Sequence, residues 1–330
     1  MSPPPQLFDR PRIRLRRERA ARAGGDFFLE AEAAARLLDR LDDVRRTFRR
    51  ALVVGGGPDL ARALRRRLGP AALLLHLDPA PARLAPDAAR VAVADEAWLP
   101  VAAATFDLVL AGPGLALVDD VPGALAQMVR ALVPDGLLLA AFWGGETLVE
   151  LRTAFVEAEL ALRGGAALRV APFADLLEAA ALLQRLGLAL AVADRDRIRV
   201  RYADPWRLLL DLRAAGLTGV LRARRPLRRD VLAAALARYR EAFADADGRV
   251  VASFELLFLT GWKPHPGQPK PRPRGSGRVD LAALLGRPPG GGEDQISGAA
   301  GDAGAGRSKR ARMSAQPSNP APGQGERSSQ

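Results

Sequence analysis

The sequence predicts an α/β domain built on a mostly parallel sheet with helices on both faces, and three observations carry that expectation. Short apolar runs alternate with helix-period segments from residue 51 to residue 142. The first run, Ala51-Leu52-Val53-Val54, passes straight into Gly55-Gly56-Gly57-Pro58 and a helix, which is how an open sheet brings its backbone close to a nucleoside ligand. Two further runs end on acids, Asp78 and Asp95-Glu96, at the sheet edge where such ligands sit.

Taken in order, residues 1–9 are Pro-rich, Pro11–Ala23 reads as a basic helix, and Phe28–Leu41 repeats Leu29, Ala33, Leu37, Leu38 and Leu41 at helical spacing. Strands are expected at Ala51–Val54, Ala71–Leu77, Val91–Ala94, Phe106–Ala111 and Leu137–Phe142, the last introduced by a turn at Pro134-Asp135-Gly136. Helices fall between them at Leu60–Leu68 and Val121–Leu132. Residues 147–162 and 173–186 read as helices, broken at Gly164-Gly165 and Pro172. A strand pair at Leu188–Val200 and Val250–Leu259 encloses helices at Pro205–Ala215 and Asp230–Phe243. From Lys263 the composition turns to Pro, Gly, Ser and charge, which buries too little apolar surface to order itself. The expected organisation is a helical cap over residues 1–48, a sheet domain over 49–262 with a helical insert at about 147–186, and a disordered tail over 263–330. Within that tail Val279–Leu285 is an apolar island suited to a short helix on a partner.

Composition narrows the chemistry. The 330 residues, 48% of them hydrophobic, suffice for one sizeable core. There is no cysteine, which excludes disulfides, thiolate metal sites and cysteine nucleophiles, and two distant histidines, His76 and His265, do not make a metal triad. The net charge of +12 comes mostly from arginines dispersed among apolar segments. With no aromatic-basic interleaving and no helix-turn-helix spacing beside it, that charge predicts no specific nucleic-acid partner. The chain has no apolar run long enough to span a membrane and no secretory apolar segment at its start, so a bacterial cytoplasmic location, or one at the inner face of the membrane, is expected.

The candidate site is the glycine turn and the strand-end acids. Gly55, Gly56 and Gly57 let the first turn pass close to a cofactor, Asp78 is placed to accept both ribose hydroxyls, and Asp95 and Glu96 to meet an adenine amino group. Glycine turns and post-strand acids also occur as ordinary turn and cap residues, and the strand order around them is what favours a nucleoside site. Trp98 and Trp143, near strand ends, either wall a pocket or simply pack. Asp211 and Arg213, on a helix with Trp206, either face an acceptor or pair at the surface. His265 reads as a solvated linker residue, and Ser308–Arg312 either as a patch for nucleic acid or an acidic surface or, the favoured reading, as part of a solvated tail.

Three segments then carry a resemblance. Asp95-Glu96-Ala97-Trp98-Leu99-Pro100, Thr105-Phe106-Asp107-Leu108-Val109 and Leu132-Val133-Pro134-Asp135-Gly136-Leu137 resemble a class I S-adenosylmethionine-dependent methyltransferase. The flanks narrow it: Phe8-Asp9-Arg10 with Arg16-Arg17-Glu18-Arg19-Ala20-Ala21, Leu38–Val44, Gly144–Arg152, Asp211-Leu212-Arg213 and Leu259–His265 resemble the branch containing the mitochondrial complex I assembly factor known as an arginine hydroxylase. That branch is similar to the malonyl-carrier-protein methyltransferase of biotin synthesis, and the resemblance covers about residues 7–272. It implies a Rossmann-like sheet of seven strands with an antiparallel last strand, and a cap and insert covering the acceptor pocket. By the same resemblance Gly55 and Gly57 would line the methionine part of S-adenosylmethionine, Asp78 its ribose, and Asp95 and Glu96 its adenine. No metal is implied, and no catalytic residue is assigned.

The departures are local. Such proteins carry an acid two residues before the first glycine, where this chain has Val53, and their third loop glycine is here Asp59, placed to substitute in part for the missing charge. The loop after the fourth strand, Leu-His-Trp-Val-Asn-Asp in the family, reads Leu115-Ala116-Leu117-Val118-Asp119-Asp120, with Pro113 and Gly114 before it. The first loss removes a carboxylate near the cationic end of the cofactor and the second an imidazole able to act as a base. The resemblance implies a methyltransferase-like protein that modifies a respiratory complex I subunit, or a small-molecule acceptor. The alternative is a catalytically degenerate binding or assembly protein of the same fold.

Overall fold

The computed structural model describes residues 6–223 and 225–269. Two helices open it, α1 (Arg10–Arg22) and α2 (Phe28–Asp42), followed by β1 (Arg50–Val54), α3 (Gly57–Leu68), β2 (Leu73–Asp78), β3 (Arg90–Val93) and β4 (Phe106–Ala111). The second half runs α4 (Val121–Ala131), β5 (Leu132–Trp143), α5 (Val149–Arg163), α6 (Leu176–Arg185), β6 (Ala189–Tyr202), α7 (Pro205–Ala214), α8 (Arg229–Phe243) and β7 (Val250–Trp262). The strands form one seven-stranded sheet in the order β3-β2-β1-β4-β5-β7-β6. β1 through β5 are parallel, and β7 pairs antiparallel with both β5 and β6.

Burial explains why the central strands read as continuous apolar runs. Ala51, Leu52, Val53 and Val54 are all buried, as are Leu108–Ala111 and Leu137–Trp143, because helices cover the sheet on both sides. The edges behave differently. β3 is largely exposed, and β6 alternates, presenting Arg195, Arg197, Arg199 and Arg201 on one side. Arg197 pairs with Glu146, and Arg201 with Asp245 at 2.5 Å and with Asp247. Charge of this kind on an edge strand discourages pairing with a second sheet and accounts for part of the arginine excess.

Three differences from the sequence reading have local causes. The glycine turn leads directly into α3, so that helix starts at Gly57 with Pro58 in its first turn rather than at Leu60. The segment Pro134-Asp135-Gly136 is not a free turn: it lies within β5 as a break in register with β4, with Asp135 at φ +63°. Residues 263–269, expected to begin the tail, are fastened to that break. Lys263 N–H donates to the Gly136 carbonyl at 2.8 Å, its Nζ to the Leu132 carbonyl at 2.6 Å, and Gln268 Nε2 to Asp135 Oδ1 at 2.8 Å. Val279–Leu285 and Ser308–Arg312 lie outside the described residues. Among the described residues no helix is long and apolar enough to cross a membrane.

Candidate functional site

The carboxyl edge of β1, β2 and β3 gathers the predicted glycines and acids, and two helices bring in charged groups that the sequence pattern did not assign there. Gly55, Gly56 and Gly57 all adopt left-handed backbone, at φ +63°, +73° and +68°, which turns the chain sharply out of β1. A side chain at Gly57 would meet Arg83 Nη2 at 2.6 Å, and one at Gly55 would meet Glu96 Oε1 at 3.2 Å, so both face the cleft. Gly56 instead packs on Leu60 and on the backbone of Gly112 beyond β4.

Asp78 ends β2 and is fully buried. Its Oδ1 accepts the Ala80 N–H at 2.9 Å, while Oδ2 lies 3.5 Å from Arg83 Nε without a hydrogen bond. Burial pushes its carboxyl up to about 6, against the pull of Arg83 and Arg17. Glu96 is buried between Gly55 and Gly114. Its Oε2 accepts from Arg10 Nη2, and its Oε1 stands 3.5 Å from Arg17 Nη1. Asp95 turns outward, part exposed, and is tied to Arg10 Nη2 at 2.5 Å. Only one of the two predicted adenine-facing acids therefore reaches the cleft.

Arg17, Glu30 and Arg83 complete the cluster, all three buried. Arg17 shares the inward face of α1 with Ile13 and Ala20, and Glu30 lies on the stripe of α2 formed by Ala33, Ala34, Leu37 and Leu41. Glu30 Oε1 accepts from Arg17 Nη2 at 3.2 Å, and its Oε2 accepts from Arg83 Nη2. Burial alone would raise the Glu30 carboxyl, but Arg83 and Arg17 outweigh it and hold it below the usual carboxylate range. Arg83 follows β2 in a short 3-10 turn, with its guanidinium 4.2 Å from the Phe27 ring centre. The signal for Arg17 and Glu30 was in the sequence: each is a charged residue on the apolar face of its helix, where it needs a buried partner. Arg83 sits in Pro81-Ala82-Arg83, with no periodicity to mark it.

The position vacated by Val53 is not refilled from the loop. Val53 is a fully buried strand residue beside His76, and Asp59 faces solvent, 3.7 Å from Arg62. The expectation that Asp59 restores charge to the cleft is therefore corrected: it lies on the outer side of α3, and Glu30 of α2 brings the extra carboxylate instead. His76 lies within β2, its Nδ1 accepting the Ala85 N–H at 3.3 Å; burial is the main reason it is pushed down to about 4, keeping it neutral at physiological pH.

These groups bear on whether an adenosyl cofactor fits. Asp78 Oδ2 and Arg83 Nε, and Glu96 Oε1 and Arg17 Nη1, are buried and face each other as ion pairs at 3.5 Å without forming hydrogen bonds, and Arg17 Nε and His76 Nε2 are buried without a hydrogen bond. Asp78 and Glu96 are buried carboxylates at this edge and supply the hydrogen-bond acceptors that an adenosine would need. The guanidinium groups of Arg17 and Arg83 fill the space against Gly57 and Gly114, so a ligand there must displace them. The residues fit the group once those arginines move.

Beside the cleft lies an apolar cavity of about 340 Å³. Leu117 links the two, closing the 3-10 turn that carries Gly114 and accepting from Arg10 Nη1 through its carbonyl at 3.2 Å. Trp143, at the end of β5, lines the cavity with its ring 6.0 Å from that of Phe254, whereas Trp98 is largely exposed and walls nothing. The insert covers this cavity through Thr147–Phe155 and Leu168–Phe173, while α1 and α2 close over the cleft. Asp119 holds the chain entering α1, accepting from the Leu7 and Phe8 N–H groups at 2.8 and 3.0 Å, and Asp120 caps α4. His265 is exposed, and no three His, Asp or Glu side chains among the described residues are grouped to hold a metal ion.

Comparison with known proteins gives consistent matches. The methyltransferase-domain family profile matches residues 52–140. The mitochondrial arginine-hydroxylase NDUFAF5 of Danio rerio is 37% identical over 262 residues, covering 78% of this chain and 82% of its own. The Homo sapiens protein of that name is 34% identical over 288 residues, covering 84% and 83%. Malonyl-[acyl-carrier protein] O-methyltransferase of Xylella fastidiosa is 32% identical over 270 residues, covering 78% and 89%.

Proposed function

Because the chain belongs to the methyltransferase-fold family of the arginine-hydroxylase NDUFAF5, which extends to the malonyl-[acyl-carrier protein] O-methyltransferases, we propose that it binds S-adenosylmethionine in the cleft of Gly55, Gly57, Asp78 and Glu96 and modifies a protein subunit during respiratory complex I assembly. The observation that carries the cofactor half is the pair of buried carboxylates, Asp78 and Glu96, each with one oxygen that accepts no hydrogen bond, beside the left-handed glycine turn at the carboxyl edge of the sheet. The assembly half rests on kinship. When bound, the cofactor supplies a methyl group on a sulfonium. Asp78 and Glu96 would hold its adenosine end, the glycine turn would admit its amino-acid end, and the closed helices α1 and α2 would keep water out. Positioning of this kind supplies most of what a methyl transfer needs from a protein.

A second reading is favoured by one specific observation. Arg17 and Arg83 pair with the cleft carboxylates from within the chain, an arrangement suited to a binding or assembly protein of the same fold. Calorimetric titration with S-adenosylhomocysteine, together with intact-mass measurement of complex I peripheral-arm subunits from cells with and without the gene, separates the two. Heat on titration and a subunit mass shift that depends on the gene support the enzyme. Absence of both, with complex I assembly still lost, supports the second.

A further inference from the structure

We infer that the apolar cavity beside the cleft is a binding site for a single-chain amphiphile with an anionic head, the chain seated in the cavity and the head held by arginines at its mouth. The inference goes beyond the cofactor reading and does not require it. Leu148, Leu151, Phe155, Leu209, Trp143 and Phe254 make the walls. The two hydroxyl side chains that line it are both engaged: Thr147 donates to the Glu255 carbonyl and accepts the Glu255 N–H, both at 3.2 Å, and Thr218 accepts from Arg16 Nη1 at 2.5 Å. Against the apolar walls hydrocarbon is favoured, because a polar group placed there would lose its water and gain no partner.

The mouth has the opposite chemistry. Arg169 and Arg225 line this cavity and also a second one of about 370 Å³, whose remaining charged lining is Arg163, Arg228 and one acid, Glu159. Glu159 is already engaged, accepting from Arg169 Nη2 at 2.5 Å and from the Ala167 N–H. Arg228 is paired with Asp230 at 2.8 Å. Among the described residues Arg225 makes no ion pair, and Arg163 feels Glu159 electrostatically without a close ion pair to it, which leaves both guanidinium groups able to meet an incoming anion. A cationic acceptor such as an arginine side chain would meet hydrocarbon inside and like charge at the entrance, so it would have to reach the cleft by another route. The apolar volume has room for roughly ten methylene groups if each takes about the share of one water molecule.

Calorimetry on the full chain with hexanoate, octanoate, decanoate, decyl phosphate and decyltrimethylammonium, each below its micellar concentration, tests this. The expected result is affinity for the carboxylates rising about fourfold per added methylene until the cavity is full. Decyltrimethylammonium is expected to bind at least tenfold more weakly than decanoate. Tighter binding of decyl phosphate than of decanoate assigns a phosphate-headed source, and the reverse a free fatty acid. Arg163→Glu and Arg225→Glu should each weaken decanoate about tenfold or more, and Leu209→Trp should abolish binding by filling the cavity. Titration of S-adenosylhomocysteine into the same samples keeps the two readings apart. Decanoate binding without it leaves this site standing, and its binding without decanoate overturns this site alone. Equal affinity for the cationic probe, or affinity independent of chain length, also overturns it.

Discussion

Replacing Arg17 with methionine removes one guanidinium from the closed cleft and keeps most of its apolar length. Arg17 lies 3.2 Å from Glu30 and 3.5 Å from Glu96, all three groups being buried. Each carboxylate keeps one other partner, Arg83 for Glu30 and Arg10 for Glu96. The loss should therefore fall at or below the low end of the 3–5 kcal/mol typical of a broken buried pair, at about 2–3 kcal/mol. Ligand binding should move the other way. S-adenosylhomocysteine entering the wild-type cleft must first displace Arg17 from hydrogen-bonded charge contacts worth about 1–3 kcal/mol, a cost absent in the variant. Affinity should rise roughly ten- to a hundredfold, read by calorimetry, while urea denaturation reads the stability loss. Arg22→Ala is the control, an exposed arginine of the same helix paired only with Glu18 four residues earlier, and should move stability by no more than about 0.5 kcal/mol. A variant as stable as wild type with unchanged ligand affinity would refute the role given to Arg17.

The other predictions concern the same neighbourhood. Asp78 has a native carboxyl raised to about 6 from 3.8, so the stability it contributes is present below about pH 4 and lost as pH rises through 6. His76, lowered to about 4 from 6.5, contributes in the opposite sense, present above about 6.5 and lost as pH falls through 4. Asp78→Asn removes only the first effect, so the stability of the variant relative to wild type should rise by about 2 kcal/mol between pH 4 and pH 7 in urea titrations; a flat difference would contradict the burial of that carboxylate. Gly57→Ala forces a side chain into left-handed backbone and onto Arg83, and should cost about 1–3 kcal/mol by the same assay. Trp143→Ala should cost about 3–5 kcal/mol through the cavity it enlarges, and the exposed Trp98→Ala under about 0.5 kcal/mol. Equal effects at the two tryptophans would mean that they are misplaced.

The sheet was legible because its central strands are buried on both faces and so appear as unbroken apolar runs, and its carboxyl-edge acids followed from the strand ends. Element ends were less so. Whether Pro134-Asp135-Gly136 turns or continues depends on pairing with Lys263, more than a hundred residues away, and no local pattern carries that. The site was half legible. The place of Asp78 and Glu96 at the sheet edge followed from their position after the strands, but their pairing with Arg17 and Arg83 comes from tertiary packing of α1 and of a 3-10 turn onto the sheet. Asp59 misled for a related reason: its distance from the glycines in sequence is right, yet the helical turn it occupies points it to solvent.

The account stands on the cleft of Asp78 and Glu96 being a ligand site closed by the chain's own arginines. The measurement that bears on it most directly is the affinity of S-adenosylhomocysteine for the wild-type chain and for Asp78→Asn, with circular dichroism confirming that both fold. The account predicts binding to wild type and a loss of about ten- to a hundredfold in the variant, the value of one charged hydrogen-bond acceptor. No binding to the folded wild-type chain, or the same affinity in both, would contradict it.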